Sequence, residues 1–118
     1  WLKLNPNYIT INAEDQINDP HSVRSFYKQL IALRKNPDYK ETIVYGTLEP
    51  VWEEQKNLMA YYRKGEKTLL IIGNYQNEEQ EVYLDSSYKK ILLNNDTILK
   101  QHDQHLCLSG YQVVILEL

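Results

Sequence analysis

Near residue 40 the apolar residues of this chain change from a helical period to an alternating one, and they do not change back. Before that point Val23, Phe26, Tyr27, Leu30, Ile31 and Leu33 fall on one stripe at helical spacing, which predicts an amphipathic helix. Asp19-Pro20 supplies its start, because Asp accepts from the free N–H groups of a first turn and Pro at the first position has no donor to orphan. Arg34 and Lys35 suit the negative end of the dipole and Pro37 stops it, so the helix is expected over 19–36. After it, short β-rich runs follow at 43–48, 58–63, 68–74, 81–84, 89–93, 105–108 and 111–118. Turn-forming clusters such as Lys64-Gly65-Glu66, Asp85-Ser86-Ser87 and Ser109-Gly110 separate them. Strands at this spacing indicate an antiparallel sandwich or small barrel. The last run is apolar on both sides near its middle and is expected to be a central strand. The fold class is therefore mainly β, with residues 1–41 and 42–118 as separate parts.

Upstream of the helix, Asn5-Pro6-Asn7 reads as a turn. Asn12, with Asp15 three residues on, reads as the cap of a short helix of about two turns that Asp19-Pro20 interrupts. One helix cannot bury its stripe on nothing. It must lie on the sheet that follows or on an element absent from this sequence.

The chain's 118 residues are enough for one core and too few for two full domains. The longest apolar run, 69–72, falls far short of the roughly 18 residues that a membrane span needs. A net charge of −3 with no basic cluster speaks against nucleic acid. The single cysteine, Cys107, forms no intramolecular disulfide and favours a reducing, cytoplasmic setting. The sequence opens on Trp1 and its one methionine is Met59, so it reads as a piece of something longer or a processed product.

Groups able to carry chemistry are sparse. Cys107 sits between Leu106 and Leu108, where a buried, inert thiol is expected. His102, Asp103, His105 and Cys107 suggest a metal set. Along a single strand, however, His102 and His105 point to opposite faces, so no metal site is expected. Glu53-Glu54 and Glu78-Glu79 lie in polar turns with nothing apolar to raise a pKa. The glycines at 46, 65, 73 and 110 are isolated and make no phosphate cradle, and Asn95-Asp96-Thr97 reads as a turn. Trp52, beside Pro50 and near Tyr61 and Tyr62, is the one weak candidate for substrate binding, as an aromatic platform for a sugar ring. No catalytic residue, metal ligand or cofactor is expected.

The segment Trp1 to Tyr8, then Ile11-Asn12, Asp19 to Val23 and Phe26 to Lys35 resembles the end of the catalytic domain of bacterial α-glucosidases of glycoside hydrolase family 13. The likeness continues through Val44-Tyr45-Gly46, Ala60 to Arg63, Leu69 to Tyr75 and Leu108 to Leu118. Oligo-1,6-glucosidases and trehalose-6-phosphate hydrolases are the nearest kinds. The resemblance implies that 1–41 ends a (β/α)8 barrel, with the helix as its last, and that 42–118 is a C-terminal Greek-key type β-sandwich. It implies a retaining enzyme acting on short oligosaccharides, whose Asp, Glu and Asp all precede residue 1. Trp1 and residues 5–8 are then the nearest to any active-site mouth. The partner is the catalytic barrel of the same polypeptide, and part of the Val23/Phe26/Leu30 stripe should be exposed and prompt self-association. A carbohydrate-binding module and a non-catalytic transporter partner are the alternatives.

Overall fold

The strand that organises this protein is apolar on both faces because both of its faces are covered. It is β3 (Thr68–Asn74), in which Leu69, Leu70, Ile71 and Ile72 are all buried. The computed structural model describes residues 2–118. It contains helices α1 (Val23–Lys35) and α2 (Pro37–Tyr45) and strands β1 (Thr47–Pro50), β2 (Leu58–Lys64), β3, β4 (Gln80–Tyr83), β5 (Lys90–Asn94), β6 (Lys100–His102), β7 (His105–Leu108) and β8 (Val113–Glu117). Five strands form one sheet in the order β1-β2-β3-β8-β5, and three form a second in the order β4-β7-β6. Every pairing is antiparallel. Among the described residues no helix is long and apolar enough to cross a membrane.

Alternation along each strand decides which layer a side chain joins. Leu58, Ala60, Leu70, Ile72, Val114 and Leu116 face the small sheet and meet Val82, Leu106 and Leu108 there. Leu69, Ile71 and Ile115 face the other way, where Tyr39, Phe26, Leu30, Leu33 and Ile43 of the helices cover them. The large sheet is thus the middle of three layers. A bulge at Leu92 shifts the β5 register, so that Leu93 lies opposite Ile115 and joins the helix side. Each fully buried side chain of this kind contributes roughly 1.5–3 kcal/mol.

At one end of the sandwich, two buried amides join the connections between strands. Asn74 donates to the carbonyls of Glu78 (2.8 Å) and Ser109 (2.9 Å) and accepts from the Gln76 N–H (2.9 Å). Gln112 donates to Asn94 Oδ1 (2.8 Å) and the Ile98 carbonyl (3.1 Å) and accepts from the Ser109 N–H (2.8 Å). Both are buried yet fully partnered, which is the condition for a polar group to be tolerated in a core.

Several sequence expectations need correction. The first helix starts at Val23, not 19. Ser22 is its cap, accepting from the Ser25 N–H, while the Asp19 carboxylate accepts from the His21 N–H in the preceding turn and the Asp19 backbone carbonyl accepts from the hydroxyls of Ser22 and Ser25. α1 ends at Lys35, just before Pro37 as expected, but Pro37 does not begin a loop. It opens α2, whose cap Asn36 accepts from the Asp38 N–H. Residues 43–45 are consequently helical rather than the start of a strand. Burial of Tyr39, Thr42 and Ile43 on the sheet outweighs the β preference of Ile43 and Val44. The Asn12–Asp15 cap forms, with Asp15 N–H on Asn12 Oδ1 at 2.9 Å, but only turns follow it and no helix. The Asn5-Pro6-Asn7 turn is one turn of 3-10 helix, Pro6–Ile9. The expected central strand is β8, lying between β3 and β5.

Candidate functional site

Trp52 lies in the loop between β1 and β2, in the left-handed region at φ 54°. Its carbonyl accepts from the Gln55 N–H at 2.9 Å, closing a turn that leaves Glu53 and Glu54 exposed. The indole is half-buried against the core between the sheets, as is Tyr62. Tyr61 packs on the opposite face of the same sheet, against the helices. Trp52, Tyr61 and Tyr62 are therefore close in sequence but divided between two layers. Glu78 and Glu79 are exposed, and Glu79 pairs with Lys100. Residues 5–8 are exposed, and Trp1 lies outside the described residues.

The two histidines correct the single-strand reasoning. His102 ends β6 and His105 begins β7, and they stand directly opposite each other across the Asp103-Gln104 turn. Residues facing each other across a hairpin share a face whatever their separation in sequence. His105 Nδ1 lies 2.7 Å from Glu81 Oε1, and its ring meets Tyr83 edge-on at 5.3 Å. Even so, among the described residues no three His, Cys, Asp or Glu side chains gather into a metal-holding group. Cys107 is half-buried rather than buried. It lies opposite Glu81 and Lys100, on the face of the small sheet away from the core.

One charged cluster ties the helix layer to β8. Tyr39 Oη donates to Glu117 Oε2 at 2.8 Å and Lys67 Nζ donates to Oε1 at 2.9 Å, with the Lys67 ammonium 4.8 Å from the centre of the Tyr39 ring. The Lys67 and Tyr39 hydrogen bonds hold the Glu117 carboxyl below its ordinary value of 4.5. The same carboxylate raises the Lys67 ammonium and the Tyr39 hydroxyl. A carboxyl that is more acidic folded than unfolded contributes stability above its unfolded pKa and loses it as pH falls through the folded one. Urea unfolding between about pH 5 and pH 3 should therefore show a stability loss that is smaller in Glu117→Gln. An identical pH slope in the two proteins would remove Glu117 from the account.

A concavity of about 490 Å³ lies between α1, the end of α2 and the helix-facing side of the large sheet. Leu30, Leu33, Leu48, Leu69 and Ile71 make its walls apolar. Arg34 and Arg63 also line it. Arg63 donates to the Ile43 carbonyl at 2.8 Å, in the last turn of α2, where a cation is favourable. Its Nε is buried without a partner. On α1, Phe26, Leu30 and Leu33 pack on the sheet, whereas Val23, Tyr27 and Ile31 form a second apolar stripe that is exposed. The expected exposure of the Val23/Phe26/Leu30 stripe thus applies to Val23, while Phe26 and Leu30 are partly covered.

Comparison with known proteins locates this architecture. Residues 58–115 match the family described as the alpha-amylase SusG C-terminal domain. Over its whole length the chain is 33% identical to an oligo-1,6-glucosidase of Bacillus cereus, of which it covers 22%. It superposes on trehalose-6-phosphate hydrolase of Bacillus licheniformis with a TM-score of 0.85 at 34% identity, over 99% of this chain and 22% of that one. The chain belongs to glycoside hydrolase family 13. It corresponds to the C-terminal region of the family 13 enzymes, the mostly antiparallel β part with two short helices beside it. An isomaltulose synthase of Klebsiella sp. shares the fold as well, with a TM-score of 0.87 at 26% identity over 99% of this chain and 21% of that one. The chain spans about a fifth of the length of the family 13 proteins it matches.

Proposed function

We propose that this chain is the C-terminal part of an α-glucosidase that hydrolyses terminal α-glucosidic bonds of short oligosaccharides with retention. Within that enzyme it serves as a supporting domain and supplies no catalytic group. The observation that carries the reading is the pair of apolar faces on α1. One face, Phe26, Leu30 and Leu33, is seated on the sheet, and the other, Val23, Tyr27 and Ile31, is exposed. A helix apolar on two sides is suited to lie between two bodies. On this reading α1 is the last helix of a (β/α)8 barrel, residues 1–41 belong to that barrel and 42–118 to the sandwich, with the division passing through α2. The reaction itself is assigned to residues of the barrel, at the strand ends where such folds place their chemistry. The single cysteine is in keeping with a cytoplasmic enzyme.

The test compares the parent enzyme with the 118-residue chain on isomaltose, maltose and trehalose 6-phosphate, with NMR following the anomer first released. The parent is expected to release the α-anomer from at least one of them, and the chain alone to be inactive on all. Trp52→Ala in the parent should lower its unfolding midpoint, because the indole packs on the core, yet leave KM within about twofold. Hydrolysis by the chain alone, a β-anomer as first product, or a large KM increase in Trp52→Ala would each overturn the corresponding part.

A further inference from the structure

The cavity under α1 holds a guanidinium in the wrong surroundings for a free surface. Arg63 enters from β2 and is tied only to the Ile43 carbonyl through Nη2, while its Nε is buried without an acceptor. Arg34 lines the same space from the last turn of α1. Among the described residues neither arginine takes part in an ion pair. The Arg63 Nε is sealed within this chain and out of reach of an incoming group, but Arg63 and Arg34 both line the cavity without a carboxylate partner, and a carboxylate is the group whose two oxygens match a guanidinium fork.

We propose that this cavity receives an acidic side chain from the catalytic barrel of the parent polypeptide, which pairs with Arg63 and Arg34 and locks the barrel onto the sandwich. The proposal rests on the reading of the chain as the C-terminal part of such a parent. The apolar walls from Leu48 and Ile71 suit a side chain carried on an apolar segment better than a hydrated small ion. The exposed Val23, Tyr27 and Ile31 extend the same apolar ground along α1. The outer face of the small sheet is by contrast mostly polar, with Glu81, Lys100, His102 and His105 exposed on it beside the half-exposed Tyr83. About four-fifths of each matched relative lies outside this chain's length, enough to provide that cover.

The experiment uses the full-length parent bearing Arg63→Lys, treated with a water-soluble carbodiimide and mapped by mass spectrometry. The reagent joins an amine to a carboxylate in contact with it, with loss of water. An amide between the introduced amine and a carboxylate upstream of residue 1 in the same chain is the expected product. Arg63→Met in the same parent should raise carbodiimide labelling of that one carboxylate several-fold while leaving the carboxylates of residues 1–118 unchanged. A link to a carboxylate within residues 1–118, a link to a second copy, or no link in a natively folded protein overturns the proposal. A parent that proves to have no barrel upstream overturns instead the reading on which it rests, and the two failures are told apart by the coding sequence alone.

Discussion

Leu116→Ala is expected to destabilise this chain by about 3–5 kcal/mol, measured as a shift in the denaturant midpoint with an unchanged slope. Leu116 is fully buried on β8, opposite Leu70 of β3 on one side and Ile91 of β5 on the other. Its side chain belongs to the core between the sheets, where Leu106 and Leu108 are also fully buried. Truncation leaves a cavity with walls from both sheets, and walls fixed by ladder hydrogen bonds collapse little. The fitting control is Ile31→Ala on the exposed stripe of α1, which should stay within about 0.5 kcal/mol in the isolated chain. A loss below about 1 kcal/mol for Leu116→Ala would mean that the two sheets are not packed as described.

Gly46→Ala should be nearly as damaging, for a different reason. Gly46 is where α2 passes into β1, and its φ of −61° is open to any residue, so conformational freedom is not at issue. Space is. A Cβ there would lie 2.4 Å from the Thr42 carbonyl oxygen and 2.6 Å from that of Lys64, both of them backbone. Neither atom can swing aside, so α2 must lift from β2 or the β1–β2 pairing must open, at a cost of about 2–3 kcal/mol. Gly73→Ala is the counterpart. Its Cβ would meet Val113 Cγ2 at 3.6 Å and the Met59 carbonyl oxygen at 3.9 Å, both ordinary contacts, and the change should be tolerated within about 1 kcal/mol. Equal effects at the two positions would show that close approach is not what holds Gly46.

How much of this could be read from the sequence differed by element, and the reasons are physical. β3 and β7 were legible residue for residue, because an apolar run bounded by turn residues is a local signal. β6 was not: Lys100, Gln101 and His102 are all exposed, and they form a strand only because β7 is beside them. The same pairing brings His102 and His105 to one face, which spacing along a single strand could not reveal. α2 was missed because Ile43, Val44 and Tyr45 prefer strands, and only burial of Tyr39 and Thr42 against the sheet favours the helix. The cap at Asn36 and the proline after it were visible signals for α2, read instead as the end of α1. Of the candidate site, Trp52 was visible as an aromatic residue near two tyrosines, but its division from Tyr61 is set by strand alternation around the β1–β2 loop. The cavity with Arg63 had no sequence signal at all. It exists because α2 folds over β2, a contact between residues twenty positions apart.

The middle-layer position of the large sheet bears on anyone wishing to transplant this module. A gene cut at the helix-to-strand border would deliver a β-sandwich with Leu69, Ile71, Leu93 and Ile115 stripped of their cover, and such a product should precipitate on expression. The smallest portable unit therefore begins before Ser22, so that the cap of α1 travels with it. Swapping this region between enzymes means exchanging the two helices along with the strands, and the seam belongs on the far side of α1.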